Sequence, residues 1–156
     1  MSERDKNAQP LYRRIIVGVD GSASATAALV HACRLADAFD AQLTVVTVWS
    51  VPIGYDGLVT GIDLERDARL AVDEIITAQT STGDRERISI VTRAGAPAHE
   101  LIAQSRSADL LVVGSRGRGG FAGLVMGSVS AQCAAHAACP VLVHHGSDVD
   151  GDTVPR

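Results

Sequence analysis

The sequence predicts an α/β fold of the doubly wound class, in which helices cover both faces of a parallel sheet. Short β-branched runs alternate along the chain with longer segments whose apolar residues recur every three or four positions. The runs are apolar on both faces, as the central strands of a parallel sheet are. In a chain of 156 residues, the length of one ordinary domain, this alternation predicts a three-layer, five-stranded parallel sheet.

The first half of the chain predicts two strands and the helix between them. Residues 15–19 (IIVGV) predict the first strand, which stops at Asp20-Gly21-Ser22. Ser22 or Ser24 can cap the helix that follows, whose apolar stripe runs to Phe39. Residues 43–49 (LTVVTVW) predict the second strand. Residues 51–62 contain one proline and three glycines without any period, and therefore predict a loop.

The second half continues the alternation. A helix is predicted from about Asp63, and its inward-facing residues are Leu64, Ala68, Ala71, Val72 and Ile75. It is followed by a turn at 82–86, a strand at 88–92 and a helix that begins near Pro97. The last predicted elements are a strand at 110–113, a small-residue helix at 128–138 and a strand at 141–143. We expect a flexible arm at 1–12, a single domain at 13–145 and a disordered acidic tail at 146–156.

Composition excludes several classes of function. A net charge of −4 and an aromatic content of 3% argue against a nucleic-acid-binding surface. No apolar run is long enough for a membrane span, and the first residues lack a signal-peptide core, so we expect a cytoplasmic protein without membrane contact. The three cysteines fit free thiols in a reducing compartment. No metal site is predicted from Cys133, His136 and Cys139, because side chains at this spacing on a helix point in different directions.

The segment 114–128 (GSRGRGGFAGLVMGS), the glycine loop below, indicates the kind of ligand. It follows the fourth strand and has six glycines, two arginines and no acidic residue. Glycines let backbone N–H groups approach a ligand, and a helix that begins at Gly127-Ser128 adds partial positive charge. An anion such as a polyphosphate fits, although a plain connection with solvated arginines stays open. Because no lysine precedes Ser128, the segment is not a P-loop.

The spacing Gly114-x2-Gly117-x9-Gly127-Ser128 resembles the ATP-binding motif of the universal stress proteins, G-2x-G-9x-G-(S/T). Residues 17–22 (VGVDGS) look like the opening strand and acidic turn of that family, and residues 139–143 (CPVLV) like its closing strand. The resemblance runs from about Ile15 to His144. It implies a Rossmann-like sheet of strand order 3-2-1-4-5 that binds an adenine nucleotide.

The resemblance also implies a role for each matching residue. Asp20 would meet the nucleoside, where a carboxylate can accept hydrogen bonds from ribose hydroxyls or the adenine amino group, and Val48 would offer backbone groups to the adenine edge. The glycine loop would wrap the ribose and phosphates. The implied ATP site consists of Gly18, Val19, Asp20, Val48, Val113, Gly114, Ser115, Arg116, Gly117, Arg118, Gly119, Gly120, Gly127, Ser128, Val129 and Ser130.

These features predict an ATP-binding regulatory or stress-response module that holds ATP, with or without Mg²⁺, and acts on an unidentified protein partner. Two alternatives stay open: a slow ATPase or adenylyl-transferring enzyme of the same architecture, and a ligand-free interaction protein. The glycine loop has neither a carboxylate nor a histidine to act as a base, so no catalytic residue is assigned. We also expect a homodimer through the apolar last strand, which would otherwise be an unpaired sheet edge.

Overall fold

The computed structural model describes residues 8–53, 63–116 and 126–146. Its strands and helices in chain order are β1 (Arg14–Gly18), α1 (Ala23–Phe39), β2 (Gln42–Trp49), α2 (Leu64–Gln79), α3 (Thr82–Arg85), β3 (Ile88–Ala94), α4 (Pro97–Ser105), β4 (Leu110–Gly114), α5 (Ser128–His136) and β5 (Val141–His144). No helix of this described part is both long enough and apolar enough to cross a membrane.

The five strands form one parallel sheet in the order β3-β2-β1-β4-β5. This confirms the predicted α/β class and strand order. The chain builds outward from β1 to β3, then crosses to the other side of β1 to add β4 and β5. The order therefore reverses beside β1, and ligands of doubly wound sheets bind at the carboxyl ends of the strands at such a point.

Alternating side chains of the strands supply two apolar layers, one on each face of the sheet. Ile15 and Val17 of β1 are fully buried against the face covered by α1 and α2, where Leu29 and Ile76 pack. Ile16 points to the opposite face, which α4 and α5 cover with residues such as Leu101. Because both faces of the sheet are buried at its centre, β4 is entirely apolar and β1 has only Arg14 as a polar residue, at its exposed start.

Asp109 fastens the amino ends of β1 and β4 together. Its Oδ2 accepts the backbone N–H groups of Arg13 and Arg14, both at 2.9 Å, and its own N–H donates to the carbonyl oxygen of Arg14 at 2.8 Å. The N–H donors of Arg13 and Arg14 hold the pKa of Asp109 below its usual value of 3.8. Nearby, the ring of Tyr12 packs edge-on against Phe39, with the ring centres 4.9 Å apart.

Three local predictions were wrong. The segment 82–86 is not a plain turn, because Ser81 caps a one-turn helix by accepting the N–H of Asp84. The last helix ends at His136 rather than Ala138, since the Ala138 N–H donates to the Ser105 hydroxyl, 2.8 Å away, instead of continuing the helix. On α2, Ala71 is exposed on a cavity, and Ile76 takes the buried position.

Candidate functional site

A cavity of about 920 Å³ lies at the carboxyl ends of β1, β2 and β4, where the strand order reverses. Its volume falls within the range of small-molecule sites. Helices α1, α2, α4 and α5 and the turns after the strands contribute the remaining walls that the described residues provide. A second recess, beside Cys33 and Arg87, measures only about 10 Å³ and is no larger than a water molecule needs.

Backbone groups at the end of β2 face the cavity and have no partner among the described residues. Residues of even number in β2 bond toward β1, as Gln42 does through its N–H and Val46 through its carbonyl. The last such bond runs from the Val19 N–H to the Val46 oxygen, at 2.9 Å. Val48 has the same orientation two residues further on, and the described residues supply no partner on that side. The N–H and the carbonyl oxygen of Val48 can therefore form hydrogen bonds with the edge of a ligand.

Asp20 is held in a tight turn at the cavity wall. Its Oδ1 accepts the N–H of Ser22 at 2.9 Å, and Gly21 between them has a φ of 84°, which favours glycine. Ser22 in turn caps α1, because its hydroxyl accepts the Ala25 N–H at 3.2 Å. The turn thus places an exposed carboxylate at the carboxyl end of β1.

Gly114 allows the end of β4 to touch the start of α1. A Cβ at this position would lie 2.5 Å from the Ser24 hydroxyl oxygen, 2.8 Å from the Ser24 carbonyl carbon and 2.9 Å from the Ala25 nitrogen. Two of these three atoms are backbone and cannot rotate away. The glycine that opens the motif is therefore required by packing between a strand and a helix.

Ser115 joins the two ends of the glycine loop. Its N–H donates to the His144 oxygen at 2.9 Å, which continues the β4–β5 pairing by one residue. Its carbonyl oxygen accepts the Gly127 N–H and, at 3.1 Å, the hydroxyl of Ser130. Both serines are almost fully buried. Together they fix α5 next to the end of β4.

The N-terminus of α5 is open toward the cavity. Gly127 is the cap residue and has no side chain, so among the described residues Ser128, Val129 and Ser130 have no acceptor for the N–H groups that the first turn of a helix leaves unpaired. Ser22 caps α1 at the same edge of the sheet, which makes α5 the more receptive of the two helices for an anion. Gly127 has a φ of −74°, so its backbone conformation does not require glycine.

The structure brings most of the predicted site residues to this one cavity. Gly18, Val19, Asp20, Val48, Val113, Gly114, Arg116, Gly127, Ser128, Val129 and Ser130 line it. Ser115 lies behind the wall and acts through its backbone bonds. Gly117, Arg118, Gly119 and Gly120 lie outside the described residues. The role of each residue toward a ligand stays a prediction.

Several lining residues were missed by sequence reasoning. Leu101 of α4 fills the space beside Gly18, where a Cβ would lie 2.9 Å from the Leu101 Cδ1. Trp49 also lines the cavity, and its indole Nε1 is buried with no hydrogen-bond partner in the described part of the chain. Its place directly after Val48 at a strand end was the available signal. Leu101 offered none, because only tertiary packing brings α4 to β1.

Comparison with known proteins places the chain in a family. A sequence model of the universal stress protein family matches residues 11–145. The universal stress protein Rv2623 of Mycobacterium tuberculosis is 36% identical over 142 residues, which cover 86% of this chain and 46% of that protein. The chain thus spans about half the length of that relative. It belongs to the universal stress protein family.

Solved structures agree with this assignment. UspA from Lactobacillus plantarum superposes with a TM-score of 0.72 at 26% identity, covering 88% of this chain and 99% of that one. A universal stress protein crystallised in complex with cAMP has a TM-score of 0.63 at 31% identity, with the same coverage of both chains. The cAMP belongs to that protein.

Proposed function

We propose that this chain is an ATP-binding member of its family and works as a nucleotide-dependent regulatory or stress-response module. The observation that carries the proposal is the cavity at the strand ends, which combines a carboxylate with strand backbone groups and a helix N-terminus that have no partner among the described residues. These groups suit the base, sugar and phosphates of one adenine nucleotide. The cAMP complex of a relative 31% identical in sequence supports the same class of ligand.

In this proposal the nucleoside lies between β1 and β2. Val48 presents one N–H and one carbonyl on the same side of the strand, a pattern that the adenine edge complements through a ring nitrogen and the amino group. Asp20 accepts hydrogen bonds from the ribose hydroxyls. A carboxylate beside phosphates would repel them, so the phosphate chain extends away from Asp20.

The phosphates lie at α5. The N–H groups of Ser128, Val129 and Ser130 and the partial positive charge of the helix stabilise an anion there, and the Ser128 hydroxyl is exposed to it. Arg116 lines the same cavity with an exposed guanidinium. Gly127 needs no special φ, so its lack of a side chain serves close approach of the phosphate. Mg²⁺ would bind through the phosphate oxygens.

In the regulatory part of the proposal, the domain 13–145 forms a homodimer through its last strand, β5. β5 is the edge strand of the sheet, and all four of its residues are only partly buried. Two copies that pair their β5 edges antiparallel would satisfy both rows of backbone groups. Binding of the nucleotide would then change how this cytoplasmic dimer binds its protein partner.

Identification of the copurified ligand tests the binding proposal. Protein purified without added nucleotide is denatured, and the released small molecules are identified by mass spectrometry; adenine nucleotide near one equivalent is expected. Trp49 is the single tryptophan of the chain and lines the cavity, so its fluorescence reports titrations with ATP, AMP and cAMP. Absence of copurified nucleotide together with no fluorescence or calorimetric response to any of the three refutes the proposal.

Turnover separates the module from the enzyme alternative. Asp20 is the one carboxylate among the described lining residues, and we assign it to the nucleoside, away from the γ-phosphate. Hydrolysis needs a positioned base and a metal ion at that phosphate. Phosphate release from ATP should therefore stay far below about one per second, the lower end of ordinary enzymes. Faster release, abolished together with ATP binding by the same variants, would favour the ATPase.

A further inference from the structure

Two histidines from distant parts of the chain meet at the sheet edge, outside the nucleotide cavity. His31 lies on α1 and His144 ends β5, and their ring centres are 5.2 Å apart with the planes inclined at 46°. Both residues are half-buried, so the rings are held in place but remain accessible. His144 lies on the α1 side of β5, like Leu142, which packs into the α1 layer of the core.

The separation of the two rings matches imidazoles that share one tetrahedral metal ion. A Zn–N bond of about 2.1 Å and a distance of about 1.1 Å from ring nitrogen to ring centre put each centre about 3.2 Å from the metal. At the tetrahedral angle of about 109°, two such centres lie about 5.2 Å apart. Neighbouring positions of a square-planar ion would place them only about 4.5 Å apart.

One ring nitrogen of His144 carries a lone pair. Its Nδ1 accepts the backbone N–H of Gly146 at 3.0 Å, so this nitrogen carries a lone pair. Burial lowers the pKa of His144, and the neighbouring His31 and His145 lower it further. A metal on Nδ1 would have to displace this hydrogen bond, which joins two neutral groups.

We propose that His31 and His144 form a binding site for a divalent transition metal of the zinc class, in a tetrahedral arrangement. The described residues contain no group of three or more His, Cys, Asp and Glu side chains placed to hold a metal, so water completes the coordination and the affinity is modest. A bound ion would tie β5 to α1. The tie lies next to Ser115, whose N–H donates to the His144 oxygen and which anchors the glycine loop.

The test measures Zn²⁺ binding by calorimetry on protein without a purification tag and without added nucleotide, because histidine tags and phosphates both bind the ion. One Zn²⁺ per chain is expected for the wild type. His31→Gln and His144→Gln should each weaken binding by about tenfold or more. His136→Gln is the matched control, because His136 is an exposed histidine at the end of α5, and it should bind as the wild type does.

A second measurement does not depend on the stability of the variants. Ring-nitrogen NMR of the wild type should show shifts at His31 and His144 when Zn²⁺ is added, while His99 and His136 stay unchanged. The proposal is overturned if the wild type binds no Zn²⁺, if both glutamine variants bind it with unchanged affinity, or if the shifts fall on the exposed histidines instead. The nucleotide proposal is untouched by any of these results, since neither histidine lines the cavity.

Discussion

Replacement of Gly114 by alanine should destabilise the fold. The added Cβ would lie 2.5 to 2.9 Å from three atoms at the start of α1, and two of these belong to the backbone. Contacts this short force either β4 or the first turn of α1 to move. Gly114 also sits between buried β4 and the Ser115 anchor, so movement is transmitted to both the core and the glycine loop.

The expected cost follows from the packing. Overfilling a close-packed site with one extra carbon costs about 1–3 kcal/mol, and contact with backbone atoms puts Gly114→Ala near the upper value of about 3 kcal/mol. For a chain of this size, each kcal/mol lowers the melting temperature by about 2–4 °C, so a decrease of about 6–12 °C is expected. ATP affinity should fall as well, because the loop anchor shifts.

Urea unfolding and thermal melting of matched variants provide the assay. Gly83→Ala is the control, because a Cβ at Gly83 in α3 has no neighbour within 4 Å, and the change should be neutral or stabilise by up to about 1 kcal/mol. Adding Ser24→Ala to Gly114→Ala removes the nearest atom but leaves both backbone contacts, so it should recover only part of the loss. A Gly114→Ala protein as stable as the wild type would refute the packing argument.

Four further predictions concern other sites. Gly117→Ala or Gly127→Ala should weaken ATP binding in calorimetry while the melting temperature stays near wild type, because a Cβ obstructs close approach of the phosphates. Asp20→Ala should lower the affinity for adenosine and for ATP alike, since its contact is to the nucleoside. Leu142→Pro should turn a dimer into a monomer in sedimentation, because proline removes a ladder donor. Asp109→Asn should make the free energy of unfolding fall less steeply at acid pH than it does in the wild type. The folded pKa of Asp109 lies below 3.8, so the stability that its carboxylate contributes is complete above that pH and is lost as the pH falls through the folded value.

Each of these predictions has a contrary outcome. Unchanged ATP affinity in both glycine variants would move the phosphate site elsewhere. A loss of ATP binding but not adenosine binding in Asp20→Ala would indicate a Mg²⁺ ligand instead of a nucleoside contact. A wild-type chain that sediments as a monomer with and without ATP excludes the dimer. Parallel pH profiles for the wild type and Asp109→Asn would show that the two backbone bonds leave the carboxyl pKa unchanged.

The sequence by itself predicted the architecture and the edge of the sheet at which the cavity lies. The spacing of apolar residues is a local property of the sequence, so it predicted which segments are strands and which are helices. The strands were predicted to be parallel because they are apolar on both faces, as the buried strands of parallel sheets are. Asp20, Val48 and Gly114 could be assigned to one site because parallel strands end at the same edge of a sheet. The errors were equally local: a one-turn helix at 82–85 is too short to leave a period.

Only the tertiary structure decided how these residues pack at that edge, because contacts between distant segments leave no mark on the local sequence pattern. Gly114 and Gly127 look alike in the motif, yet Gly114 is required by the backbone of α1, whereas Gly127 has an ordinary φ and an open helix end. Ser115 is a buried anchor rather than part of the cavity wall. The approach of His31 to His144 across 113 positions depends on β5 lying beside β4 under α1, which no periodicity encodes.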